Sequence, residues 1–204
     1  MICIAPVRRW AVVGMVMVGL LVGGCGGKED ALGPTATLPQ PTTTTDPYAI
    51  PAVIDEPYVN RVLAGLDQAV GDVVRIVVGS RTIPPEAIER LKAIYVGDAL
   101  QLKVDGLQND MFRGFSGYRA VPGNKTTTVT RIIEATPSCI FAEVHKDFSA
   151  VSTNSDPALS IQWVALRPLD QTRDPMGYNS TRWVFTYDGF RQDLSKPDNP
   201  CVEP

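Results

Sequence analysis

Residues 55–79 read DEPYVNRVLAGLDQAVGDVVRIVVG, and the fold turns on them. Val59, Val62, Leu63, Leu66, Val70, Val73, Val74 and Val77 recur at steps of three and four, the period of a helix that buries one face. Asp55-Glu56-Pro57 suits a helix start: the dipole favours acids there, and the N–H that proline lacks would be unpaired anyway. The last turns, Val73 to Val78, are β-branched and apolar nearly all round, which predicts burial on more than one side. Gly79 is expected to end the helix.

Two shorter helices are expected next. Pro84-Pro85-Glu86 opens one with Ile88, Leu91, Ile94 and Tyr95 on a single face, ended by Gly97; a weaker one runs from about Asp98 to Asn109. Strands then follow at Phe115–Val121, Lys125–Ala135, Cys139–Phe148, Ser160–Arg167 and Thr181–Tyr187. Pro122-Gly123-Asn124 and Thr136-Pro137-Ser138 supply turns, and Asp188-Gly189 reads as the turn after the last strand. Helices segregated before a run of antiparallel strands predict an α+β domain, with a curved antiparallel sheet closing over the long helix.

Upstream the composition changes. Gly26–Pro51 holds six threonines and five prolines and has little to bury, so it reads as a flexible tether, either bare or O-glycosylated. Before it, Arg8 and Arg9 precede the uncharged run Trp10–Gly24, whose 15 residues would make a helix of about 22 Å. That is short of the roughly 30 Å hydrocarbon core, so a processed signal is expected. Leu21-Val22-Gly23-Gly24-Cys25 resembles a bacterial lipobox. By that resemblance residues 1–24 are a lipoprotein signal peptide, and Cys25 becomes the lipidated first residue of a chain anchored on the extracytoplasmic face of the cell membrane. Residues 25–53 are then the linker and 54–204 the folded domain. Loss of Arg8 and Arg9, with no acid, takes the side-chain charge from −3 to −5, so lipid rather than charge has to hold the protein at an anionic surface.

The order of elements, together with the helix Tyr58–Gly79, the segment Glu86–Asp98 and the pattern Asn179-Ser180-Thr181-Arg182-Trp183…Tyr187-Asp188-Gly189-Phe190…Asn199-Pro200-Cys201, resembles the NTF2-like (SnoaL/ketosteroid-isomerase-like) cone. The likeness is to secreted actinobacterial lipoproteins that carry such a domain after a Thr/Pro linker. It implies a fold and not a chemistry, because that fold hosts many unrelated functions.

The chain has 204 residues, 44% hydrophobic and 20% charged, which excludes a disordered or multi-pass membrane protein; a net charge of −3 gives no support to a nucleic-acid binder. With Cys3 removed in the signal and Cys25 on lipid, Cys139 and Cys201 remain. They are either a disulfide suited to an oxidising compartment or two separate thiols. Two cysteines and one histidine do not make a zinc set, and no metal or cofactor is expected. His145 shares strand parity with Glu143 and Asp147, which suggests either a base poised by carboxylates or a solvent-facing polar stripe. Ile140, Ala142, Val144 and Phe148 are expected to pack on the first helix. Trp163 and Trp183 are candidates for lining a pocket at the cone mouth, or for core packing. Asn124-Lys125-Thr126 and Asn179-Ser180-Thr181 match the glycosylation sequon. Three functions stand in order: a non-catalytic accessory domain that binds an envelope protein or component, a carrier or sensor of a small apolar ligand, and a hydrolase or isomerase using His145.

Overall fold

A computed structural model describes residues 46–154, 160–190 and 198–202. Three helices, α1 (Glu56–Ser80), α2 (Pro85–Ile94) and α3 (Gly97–Phe112), precede four strands, β1 (Thr126–Thr136), β2 (Cys139–Asp147), β3 (Ile161–Pro168) and β4 (Trp183–Phe190). The strands form one open sheet in the order β1-β2-β3-β4, antiparallel throughout. The architecture is α+β, helices on one face of an antiparallel sheet. The signal segment, Cys25 and the linker as far as Thr45 lie outside the described residues.

The Asp55 carboxylate caps α1, accepting from Tyr58 N at 2.9 Å, with Glu56 in the first turn. The eight apolar residues that set the period are buried except Val70, which is half-buried against the core. The helix does not stop at Gly79. It runs to Ser80, and Arg81 takes the left-handed position at φ 57° that ends it. Gly97, expected to close the second helix, instead opens α3 at φ 56°, because α2 already ends at Ile94. Residues 46–48 pack onto the domain: Tyr58 Oη donates to Tyr48 O (3.2 Å), Arg61 Nε to Pro47 O (3.1 Å), and Arg182 Nε to Asp46 Oδ2 (2.8 Å).

The strand expected at Phe115–Val121 is not formed. The chain there is a set of turns in which Phe115 sits in the core at φ 55°, edge-to-face with Tyr118 at 5.8 Å, and only Tyr118 makes an isolated bridge, to Ser152. Burial of one aromatic between Gly114 and Gly117 outweighs the β-propensity of the stretch. Asp188-Gly189 likewise does not turn the chain: β4 continues through both residues to Phe190, paired with Gln162, Trp163 and Val164 of β3. Register shifts between Val129 and Arg131, between Ile132 and Glu134, and across Ala165/Leu166 mark bulges, which bend strands and tighten their twist.

The inner face of the sheet buries Ile140, Ala142 and Val144 against α1 as its parity requires, with Val164, Leu166 and Phe185 in the same cluster. On the outer face a smaller cluster of Phe141, Trp163 and Ala165 is flanked by Ile133, Tyr187 and Cys201. Residues 199–201 lie against this face. Asn199 Nδ2 donates to Glu134 Oε2 (2.5 Å), Arg167 Nη2 donates to Pro200 O (3.2 Å), and Cys201 is joined to Cys139 across a Cα–Cα distance of 5.6 Å. Closing a loop with a sequence separation of 62 stabilises by roughly 4 kcal/mol in the chain-entropy treatment. Replacing both cysteines with serine is therefore expected to lower the urea-unfolding free energy by about 2–4 kcal/mol; an unchanged midpoint would show that the link does not constrain the unfolded chain.

Candidate functional site

Between α1, α3 and the sheet lies a cavity of about 340 Å³, at the low end of the roughly 300–1,000 Å³ usual for small-molecule sites. Its wall is mostly apolar: Val70, Val73 and Val74 from α1, Leu91 from α2, Leu107 from α3, and Val151 after β2. Leu102 and Gly106 of α3 line it and are also solvent-exposed, so the cavity reaches the surface along α3. That helix buries only Ala99 and Leu107, which makes it the wall with the weakest hold on the core.

Charged residues stand on the wall, as Lys103, Lys125 and Asp188 do, and behind it at core positions, as Lys146 and Asp67 do. On β2 the inward parity continues past Val144 to Lys146, 1% exposed. Its Nζ is bonded to the Asp188 carboxylate of β4, on the same face of the sheet. Asp188 also accepts from Lys103 Nζ of α3 at 2.8 Å and from Tyr95 Oη at 3.2 Å. A second buried pair sits beside it. Lys125 Nζ is bonded to Asp67 of α1 and lies 3.1 Å from Thr127 Oγ1, while the Asp67 carboxylate accepts from Thr127 N (2.6 Å) and Thr127 Oγ1 (2.9 Å). Lys125, just before β1, and Thr127, near its start, hold Asp67, so this pair fixes where the long helix meets the first strand. The two clusters touch through Phe185, whose ring has Lys125 Nζ 5.9 Å and Lys146 Nζ 5.8 Å from its centroid.

The protonation states follow from this crowding. Burial pulls the Lys146 ammonium down to about 7; Asp188 opposes that, and the like charges of Lys125 and Lys103 add to it. Burial alone would raise the Asp188 carboxyl, but Lys103, Lys146 and Lys125 together hold it well below the usual carboxylate range. Burial, then the charges of Asp188 and Asp67, push the Tyr95 phenol up, so it stays a donor. On the far wall Asp110 accepts from Tyr118 Oη at 2.7 Å, and burial with that bond raises the Tyr118 phenol.

Of the candidate site residues singled out from sequence, Cys139, Cys201, His145, Trp163 and Trp183, none lines this cavity. His145 is exposed on the outer face of β2, opposite in parity to Lys146, with Asp147 exposed beside it and Glu143 half-buried. Glu143 Oε1 accepts from Thr130 Oγ1 (3.1 Å), and Asp147 Oδ1 accepts from Ser149 N (2.7 Å). Trp183 is buried in the main core, its Nε1 donating to Tyr58 Oη at 2.9 Å. Trp163 lies in the outer-face cluster, with Phe141 at 5.5 Å and its Nε1 without a partner among the described residues. Phe148 does reach the cavity wall.

None of Lys103, Lys125, Lys146, Asp67, Asp188 and Tyr95 is read as a site residue in the sequence, although two of them carry a signal there. Asp67 interrupts the apolar stripe of α1 between Leu63 and Val70, and Lys146 interrupts the apolar parity of β2. A charge at a core position needs a partner, so two such positions of opposite sign point to buried ion pairs. No described group of three His, Cys, Asp or Glu could hold a metal ion, and no described helix is long and apolar enough to cross a membrane. Comparison of the chain with protein-family models, with curated proteins and with solved structures gives no match, so its function has to be read from the cavity.

Proposed function

We propose that this chain is a lipid-anchored extracytoplasmic carrier or sensor, and that a small, largely apolar ligand occupies the cavity between the helices and the sheet of an NTF2-like cone. The observation that carries the reading is the cavity itself: about 340 Å³, walled by valine and leucine from three helices, and open along the helix with least core contact. Packing does not fill the space between α3 and the sheet, as it would in a domain that served only as a scaffold. The open cavity favours a carrier over an accessory domain that binds through its outer surface. His145 faces away from it, which leaves the hydrolase or isomerase reading without a site around that residue. Attachment through Cys25 belongs to the proposal and would place the cavity just outside the membrane, within reach of apolar molecules.

The full chain in lipid nanodiscs, with valine and leucine methyls labelled, tests this by titration with decanol. The Val73, Leu91 and Leu107 methyl signals are expected to shift with one saturable affinity, while those of Val59 and Val62, buried under the sheet, stay in place. Gly106→Phe puts a ring at a wall position whose Cβ would meet nothing within 4 Å. It should weaken binding at least about tenfold without lowering the melting temperature, since glycine costs about 1 kcal/mol in a helix. Cavity methyls indifferent to decanol, or Gly106→Phe binding as well as the parent chain, would overturn the proposal.

A further inference from the structure

Lys103 and Asp110 stand seven residues apart on α3, and both line the cavity. Seven residues are close to two turns, so the pair shares one face of the helix, about 10 Å apart along its axis. Between them that face carries Gly106 and Leu107, and α1 brings Val70, Val73 and Val74 to the same cavity. The middle is therefore apolar and each end is charged. One end is cationic, where Lys103 meets Asp188 and Tyr95; the other is anionic, where Asp110 meets Tyr118.

Neither end group is closed off. The side chain of Lys103 is 36% exposed, and its ammonium keeps donors beyond the one that Asp188 takes at 2.8 Å. Asp110 is half-buried; its Oδ2 accepts from Tyr118 Oη at 2.7 Å, and a carboxylate has room for further donors. A ligand that fills the cavity takes water away from both groups. A wholly apolar one would leave an ammonium and a carboxylate short of hydrogen bonds, a loss that opposes the gain from burying it. The charges on the wall also cancel: Lys103 and Lys125 stand against Asp188 and Asp110, and behind the wall Lys146 and Asp67 add one of each sign. An ionised ligand of either sign would bring an unbalanced charge into a site of low dielectric.

Resting on the carrier reading, we infer that the ligand is an uncharged molecule with an apolar middle and a polar group at each end: an acceptor that takes a hydrogen bond from Lys103, and a hydroxyl that donates to Asp110. Both bonds are charge-assisted and replace the water that the ligand displaces. The apolar middle lies against Leu107 and the valines of α1, and its length, about 10 Å between the polar groups, matches the spacing of the two residues along α3.

The test compares four eight-carbon probes on the full chain in nanodiscs, read by the same cavity methyls: 1,8-octanediol, 1-octanol, octanoate and octylammonium. Octanediol is expected to bind at least as tightly as octanol, although it is the less apolar of the two, and both ions more weakly than octanediol. Asp110→Leu removes the acceptor at one end and Lys103→Met the donor at the other. Each should lower the octanediol-to-octanol affinity ratio at least about tenfold, the loss expected for one hydrogen bond to a charged group. Should loss of the Tyr118 bond unfold Asp110→Leu, Lys103→Met, at a half-exposed helix position, carries the test by itself. No shift with any probe would overturn the carrier reading and this inference with it. Octanol binding about tenfold tighter than octanediol, or a ratio untouched by Lys103→Met, would overturn the two-ended ligand and leave the carrier reading standing. Octanoate or octylammonium as the tightest probe would overturn the uncharged ligand.

Discussion

Asp188→Asn is expected to destabilise the chain by about 3–5 kcal/mol, whereas Lys146→Met, on the other side of the same ion pair, should be neutral or stabilising. The asymmetry comes from the number of partners each residue holds. Asp188 is bonded to both Lys146 and Lys103, and it also takes the Tyr95 hydroxyl. Asparagine keeps the shape but turns an amide donor or a weak acceptor towards two ammoniums. Lys103 can swing to water; Lys146, 1% exposed, cannot. Methionine at 146 instead fills the same volume, removes a desolvated cation and leaves Asp188 with Lys103 and Tyr95. The loss expected for Asp188→Asn is a large share of the roughly 5–15 kcal/mol that holds a domain together, and urea unfolding of the full chain at pH 7 measures it. A difference below about 1 kcal/mol between the two variants would show that the pair is not desolvated in solution.

The pH dependence gives a second readout of the same pair. With Lys146 at about 7 in the folded protein and the ordinary lysine value of 10.5 in the unfolded chain, the unfolded state holds one more proton between those limits. Stability contributed by this group therefore rises as pH increases from about 7 to about 10, and the cost of the buried cation is fully present below 7. Asp188 acts in the other range: held well below the ordinary aspartate value by its lysines, it contributes above about pH 4 and its contribution is lost on further acidification. Lys146→Met should abolish the alkaline rise and leave the acid limb in place.

How much of this was legible in the sequence follows from the range of the forces involved. The long helix and four strands announce themselves because periodicity is local: Val59 to Val77 repeat every three or four residues, and Ile140, Ala142 and Val144 alternate on β2. Phe115–Val121 misled because β-propensity is a statement about a half-buried pleated surface, and here Phe115 is buried without any sheet to join. Asp188-Gly189 misled for a related reason. Aspartate and glycine favour turns when solvent is the alternative, but Asp188 has Lys146 across two strands, 42 residues earlier in the chain. Likewise Asp67 meets Lys125 over 58 residues. Such pairings arise only from the topology, so the cavity wall could not be assembled from spacing, even though Lys146 on an apolar parity was visible. The cysteines lay between these extremes: their number suggested a partnership, but only the tail crossing the outer face of the sheet brings Cys139 and Cys201 together.

Asn179→Ala is expected to cost about 3–5 kcal/mol, although its side chain touches neither the cavity nor a charge. Its side chain uses all its hydrogen-bonding capacity in a buried place. Nδ2 donates to Ala93 O at 2.7 Å and to Trp183 O at 2.8 Å, and Oδ1 accepts from Thr181 N at 2.9 Å and Thr181 Oγ1 at 2.7 Å. Ala93 is in the last turn of α2, where carbonyls lack partners within the helix, and Trp183 is the first residue of β4. One amide thus joins the end of a helix to the start of a strand. Alanine would leave buried groups on both elements unpaired, at about 1–3 kcal/mol for each that water does not reach. The damage should extend to the cavity, because Tyr95 lies two residues beyond Ala93 and Asp188 five beyond Trp183. A fraction of Asn179→Ala still folded at low temperature is therefore expected to bind decanol more weakly than the parent chain. Ser180→Ala, exposed and next in sequence, is the control, within about 0.5 kcal/mol of the parent. With both amide hydrogens committed, Asn179 has no nitrogen to offer a glycan in the folded protein, so the sequon Asn179-Ser180-Thr181 is structural. Equal unfolding midpoints for Asn179→Ala and Ser180→Ala would break the link between this amide and the placement of β4.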